Sequence, residues 1–164
     1  MTPAARLQAA IEVLDDIIAS ARDSGAPADA IVTRYFKTRR YAGSKDRRAV
    51  RELVFAAIRR SAERPPSGRS AILGLAADQP QLKQLFGQPR GPASILPGEH
   101  AASAGSLPRW LHDEVSPLVD NAEWQALLER APLDLRVNID RASRDEMLSE
   151  FEGAEPTRLS PWGI

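Results

Sequence analysis

Apolar residues recur every third or fourth position along the first 77 residues, and no other sequence feature constrains the fold as strongly. This spacing lines one face of an α-helix. It predicts helical segments at about residues 3–24, 28–38, 45–63, 70–77 and 80–86. Thr2, followed by Pro3, is the expected N-cap of the first helix, and Ser44 that of the third. Only 5% of the residues are aromatic, so we expect a core of aliphatic side chains and alanine.

The first three helices each carry an apolar face, and that of the first is a broad stripe over residues 7–21. We expect the second and third helices to turn the following residues toward the core: Ile31, Val32, Tyr35, Phe36, Val50, Leu53, Val54, Ala57 and Ile58. The fold class expected for this part of the chain is therefore mainly α.

The stretch 87–106 contains four Gly and three Pro and has no helical or strand period. Irregular segments of this length are uncommon in compact domains, so we expect either a mobile functional loop or a poorly ordered one. Helical spacing resumes over 108–119, and Asn121 can cap a further helix that ends at Pro132. Trp110 and Trp124 occupy apolar positions of these helices, and we expect them in the core.

The pattern changes after Pro132. Residues 133–138 alternate apolar and polar side chains, which is the period of a β-strand. Ser143 and Glu146 form a capping box for a helix over 143–151, Gly153 ends it, and 156–164 begins a second extended segment. We therefore predict a helical domain over 1–131 and the β-α-β start of a small α/β subdomain over 132–164. We expect that subdomain to continue beyond these residues.

Several kinds of chemistry lack the residues that they require. The chain has no Cys, and its two His, His100 and His112, have no partners at metal-ligand spacing. Glycine-rich nucleotide loops and a serine nucleophile elbow are both missing from the sequence. We assign no catalytic, cofactor-binding or metal-binding residue. No apolar run approaches bilayer length and no signal-peptide pattern is present, so we expect a cytoplasmic protein without a membrane partner.

The formal net charge of zero conceals a basic segment over residues 34–60, where ten basic side chains stand against two acidic ones. Arg48, Arg51 and Arg59 lie roughly 100–180° from the inner face of the third helix, with Phe55 among them. Guanidinium groups for phosphates and a ring for base stacking are what unpaired RNA requires. The predicted RNA-binding residues are Arg34, Lys37, Arg39, Arg40, Lys45, Arg47, Arg48, Arg51, Phe55, Arg59 and Arg60. Two alternatives stay open: a merely solvated basic face, and a Phe55 that packs inside the protein.

Three segments together carry a family resemblance: AARLQAAIEVL at 4–14, SKDRRAVRELVFAAIRR at 44–60, and PRWLHDEV with WQALLERAPLDLRVN between 108 and 138. They resemble, in the same order, the amino-terminal part of the Sun/Fmu family of RNA cytosine-5 methyltransferases. The resemblance implies a helical RNA-binding domain similar to the antitermination protein NusB, followed by a small α/β subdomain. It also implies a catalytic domain that uses S-adenosylmethionine, whose binding loop and motif cysteines have no counterparts in these residues. The match at Asp46, Arg47 and Arg48 implies a structural signature.

The leading hypothesis is that the chain recruits RNA, by resemblance rRNA, for a methyltransferase domain outside these residues. Alone, it should neither bind S-adenosylmethionine nor methylate. A second hypothesis is a protein-interaction module that docks a partner or the catalytic domain through apolar faces of the first helix and of residues 110–128. A third is a scaffold with neither property.

Overall fold

A computed structural model describes residues 1–128 and 132–164 of the chain. It is mainly helical, as predicted. The helices are α1 (Pro3–Arg22), α2 (Ala28–Lys37), α3 (Ser44–Arg60), α4 (Gly68–Asp78), α5 (Asn121–Leu128) and α6 (Arg144–Glu150), with 3-10 helices at Pro80–Leu85 and Arg109–Glu114. The chain divides into two compact units, Met1–Leu128 and Glu129–Ile164. The predicted boundary after residue 131 adjoins residues 129–131, which lie outside the described residues.

Helix α1 is the element around which the first unit packs, since it contacts α2, α3, α4 and the first 3-10 helix. Thr2 caps it as predicted, because its Oγ1 accepts a hydrogen bond from the amide of Ala5 at 3.2 Å. The core is aliphatic and alanine-rich, with Leu7, Val50 and Ile72 fully buried. Nine residues of α2 and α3 were expected to face it, and all nine are buried or partly buried.

The start of α3 differs from the prediction. Ser44 is the first residue of the helix rather than its N-cap, which is Gly43. The Asp46 carboxylate accepts the amide hydrogen of Gly43 at 3.2 Å, which is the half of a capping box that runs from the third helical residue back to the N-cap. At its other end α3 stops at Arg60, short of the predicted residue 63, because Ser61 adopts an extended conformation.

Residues 87–106 contain no helix or strand, yet Arg69 of α4 holds them in place. Its guanidinium forms an ion pair with Glu99 and donates to the carbonyl oxygens of Ala93 and Ser94 at 3.0 and 3.1 Å. The same group lies 5.1 Å from the centre of the Phe86 ring. One cation of α4 therefore organises much of the glycine- and proline-rich loop.

We expect Arg69→Gln to raise amide hydrogen exchange across residues 93–102 about tenfold, because hydrogen bonds to charged groups are among the stronger ones.

Hydrogen bonds from Arg69 and from the amide of Leu96 lower the pKa of Glu99 to about 2 from its ordinary 4.5. The stabilising contribution of the pair is thus complete above pH 4.5 and is lost as the pH falls toward about 2. Denaturant unfolding of the wild type and of Arg69→Gln between pH 4.5 and about pH 2 should show the difference between their free energies of unfolding falling toward zero. Arg64→Gln, at an exposed site, is the control; equal exchange in Arg69→Gln and wild type would contradict the expectation.

The segment after this loop corrects three predictions. Instead of a helix over 108–119 there is a short 3-10 helix, Arg109–Glu114, because Pro117 disfavours helical geometry at the residue before it. Trp110 is 73% exposed, so its predicted place in the core is wrong. Trp124 is half-buried and contacts the His112 ring edge-on at 5.2 Å. Asp120, not Asn121, caps α5 by accepting the amide hydrogens of residues 122 and 123.

In the second unit, the predicted capping box of α6 is confirmed. The Glu146 carboxylate accepts the amide hydrogen of Ser143 at 2.7 Å, and the Ser143 hydroxyl accepts that of Glu146 at 3.2 Å. Over residues 132–164 no strand forms, and a single bridge joins Arg136 to Gly163 in antiparallel orientation. The strands of a β-α-β unit run parallel, so that start is not confirmed.

Candidate nucleic-acid interface

The basic segment, residues 34–60, covers the end of α2, the connection to α3 and the whole of α3. Its ten cations fall into two groups in the structure. Four of them bond to other parts of the protein, and six project from its surface without such bonds. This division decides which of the predicted residues can reach an external phosphate.

Three of the four bonded cations hold the helices together. The Arg39 guanidinium lies 3.6 Å from the centre of the Tyr35 ring and 3.4 Å from the Glu12 carboxylate of α1. Arg47 donates to the carbonyl oxygen of Ala42 at 2.9 Å, which ties α3 to the preceding turn. Arg60 is only 12% exposed, because it joins the end of α3 to α4 and to the loop after it. These side chains are structural.

The fourth bonded cation, Arg48, differs in exposure. It pairs with Glu52 one turn along α3 at 3.1 Å, and both side chains are largely exposed, at 76% and 65%. Exposed pairs of this kind contribute about 1 kcal/mol at most, so Arg48 can exchange its partner for a phosphate at small cost.

The remaining cations form a set that we name the open cations: Arg34, Lys37, Arg40, Lys45, Arg51 and Arg59. All six side chains are exposed. Within the described part of the chain, five of them have no hydrogen bond, ion pair or ring contact, and Arg51 contacts only the Phe55 ring, at 5.6 Å. They come from α2, the connecting turn and α3, and they are the positive groups best placed to meet a polyanion.

Both acidic residues of the basic segment are occupied. Glu52 pairs with Arg48, and Asp46 is buried under the amino-terminal end of α1. The Met1 ammonium lies 3.1 Å from each Asp46 carboxylate oxygen, and Arg6 donates to one of them at 2.9 Å. Hydrogen bonds from the ammonium, from Arg6 and from the amide of Gly43 lower the pKa of Asp46. The carboxylate therefore remains ionised and turned inward, and the surface of the segment stays positive.

Phe55 lies in a row along α3 with Arg47, Arg51 and Arg59, each four residues from the next. The ring is partly buried and packs against the core cluster. The predicted stacking role of the ring therefore competes with the alternative packing role.

Two residues outside the predicted set belong to the same region: Tyr41 lies within the basic segment, and Arg90 lines a cavity together with Tyr41. Tyr41 is 73% exposed in the turn that also carries Arg40. Arg90 is exposed and has a left-handed backbone with φ of 64°, which is uncommon for a residue other than glycine. An aromatic residue in a polar turn between two cations was the sequence signal for Tyr41. Arg90 had none, because it reaches this region only through the fold.

Across residues 1–128 and 132–164, no three His, Asp or Glu side chains come together as a metal site. In the same residues no helix combines the length and the apolar character that crossing a bilayer requires. Comparison of the chain with protein-family models, with curated proteins and with solved structures yields no match.

Proposed function

We propose that the first unit binds RNA through the open cations. In the reading suggested by the resemblance, it recruits rRNA to a cytosine-5 methyltransferase domain that uses S-adenosylmethionine. The observation that carries the proposal is the electrostatic state of the basic segment. Six exposed cations lack an acidic partner, while the only two carboxylates of the segment are already bound.

Self-repulsion among these cations is relieved when a polyanion approaches, and the release of its counterions drives binding. Phosphate contacts alone do not select a sequence, so we expect the open cations to position the RNA rather than to read it. Any selectivity must come from groups that meet the bases.

A salt titration tests this proposal directly. Six phosphate contacts on an unstructured RNA give a slope of about −4 in a plot of log affinity against log salt, at about 0.7 per contact. Raising the salt from 50 to 200 mM should therefore weaken binding about 300-fold. Fluorescence anisotropy with an end-labelled RNA of ten nucleotides measures the slope. Binding that ignores salt would contradict the electrostatic mechanism.

A protein-interaction module is the second candidate, and exposed apolar side chains at the end of the first unit favour it. Trp110, Leu118 and Leu127 are 73%, 88% and 77% exposed. Large apolar side chains left in water suit an apolar protein surface, such as that of the expected catalytic domain. This candidate predicts association that persists at high salt and weakens in a Trp110→Ala variant. The RNA proposal predicts the opposite salt response and no effect of Trp110→Ala.

A further inference from the structure

A cavity of about 490 Å³ opens beside the basic segment, between α1, the α2–α3 turn and the loop that carries Arg90. We propose that this cavity holds one unpaired nucleotide of the bound RNA, with its base stacked on the ring of Tyr41. The inference rests on the proposed function, and it adds a base-recognition site to a surface that otherwise contacts phosphates.

The lining of the cavity suits a flat ring. Two small side chains of α1, Ala5 and Ala9, line it together with Gln8, and Tyr41 of the α2–α3 turn lines it as well. Alanines leave room for a planar group to approach the helix closely, and the exposed tyrosine ring offers the stacking partner. The volume lies within the range of about 300–1,000 Å³ that is usual for small-molecule sites.

Polar groups in the cavity match a base edge rather than an apolar ligand. The Gln8 side-chain amide donates one hydrogen bond to Glu12 at 3.2 Å, which leaves its carbonyl oxygen and a second N–H for a ligand. Nucleobases present donors and acceptors side by side along their edges, so an amide can bond to two positions at once.

The charges around the cavity favour a phosphate at its rim. The Glu12 carboxylate accepts hydrogen bonds from Gln8, from the Tyr35 hydroxyl at 2.6 Å and from Arg39 at 3.4 Å, so its charge is compensated within the protein. Arg90 lines the cavity, and within the described residues its side chain has no bonded partner. Its left-handed backbone is a strained conformation, of the kind that clusters at binding sites. Arg40, an open cation, precedes Tyr41 in the chain. A phosphate at the rim of the cavity would therefore meet the Arg90 guanidinium.

The experiment compares two RNAs of ten nucleotides with identical backbones, one carrying its bases and one abasic. Both keep every phosphate, so the open cations contribute equally to each. We expect the wild type to bind the base-bearing RNA about tenfold more tightly. Tyr41→Ala should bind both RNAs at the abasic level with an unchanged salt slope, and Tyr41→Phe should retain the preference. Because Tyr41 is exposed, circular dichroism of both variants should match the wild type.

If Tyr41→Ala keeps the preference for bases, or if Tyr41→Phe loses it, the cavity is not the base site, while salt-dependent binding still supports the proposed function. Equal wild-type affinity for both RNAs likewise overturns the cavity alone. If the wild type binds neither RNA, the proposed function fails and the inference fails with it.

Discussion

Reversing four open cations together, as Lys37→Glu, Arg40→Glu, Lys45→Glu and Arg51→Glu in one variant, should weaken RNA binding at least about 500-fold at 0.1 M salt. Each phosphate contact on a single strand contributes about 1 kcal/mol at this salt concentration, which is about fivefold in affinity. The four side chains are exposed and have no ion pair in the described part of the chain, so their replacement breaks no internal salt bridge. Fluorescence anisotropy gives the affinity, and circular dichroism gives the helix content, which should be unchanged.

The control for this variant changes the net charge by the same amount at other sites. Arg22, Arg64, Arg141 and Arg158 are exposed residues outside the basic segment. Reversing these four should leave most of the affinity intact, because none of them is one of the open cations that make the proposed contacts. An equal loss in both quadruple variants would show that only total charge matters, and the assignment of the interface to residues 34–60 would be wrong.

Replacing Gly68 with alanine should lower the free energy of unfolding by about 2–3 kcal/mol. Gly68 opens α4 against α1 so closely that an added Cβ would overlap the carbonyl oxygen of Ile11. The same Cβ would lie 2.9 Å from the Cβ of Leu14 and 3.0 Å from the amide of Asp15. Two of these neighbours are backbone atoms, so the helices must separate. The separation would also strain the 2.7 Å hydrogen bond from the Gly68 amide to the Asp15 carboxylate.

The sign of the effect makes this a strict test, measured by urea denaturation. Helix propensity alone favours alanine over glycine by up to about 1 kcal/mol, so an unconstrained site would be stabilised. Gly43→Ala is the matched control, since the nearest atom to its added Cβ is at 3.7 Å. We expect the control to change stability by no more than about 1 kcal/mol. A Gly68→Ala protein as stable as the wild type would show that α1 and α4 pack less closely than the structure describes.

Much of the helical architecture could be predicted because it depends on neighbours three and four residues apart. The buried faces of α2 and α3, the Thr2 cap and the Ser143–Glu146 capping box all belong to this class. Where a prediction failed, a competing local interaction or a distant partner decided the outcome. Helix α3 begins at Ser44 with Gly43 as its N-cap, whose amide Asp46 accepts, and Pro117 shortened the predicted helix that carries Trp110.

The candidate interface also has one part that the sequence predicts and another that depends on tertiary packing. The excess of basic residues over 34–60 can be counted in the sequence, but the sequence cannot show which of them are already bound. Arg60 meets Asp78, and Arg39 meets Glu12, across separations of 18 and 27 residues. Tyr41 and Arg90 line the same cavity although they are 49 residues apart in the sequence. Such pairings depend on how helices and loops pack, and the local pattern of residues does not encode them.

The sequence by itself determined that the chain forms amphipathic helices and concentrates positive charge in one segment, because periodicity and composition are local properties. Only the tertiary structure decided which cations remain open, that Asp46 is buried and paired with the Met1 ammonium and Arg6, and that an exposed tyrosine borders a cavity lined also by Gln8 and Arg90. The physical reason is that ion pairing, burial and cavity formation depend on distances between residues far apart in the chain, and packing alone establishes those distances.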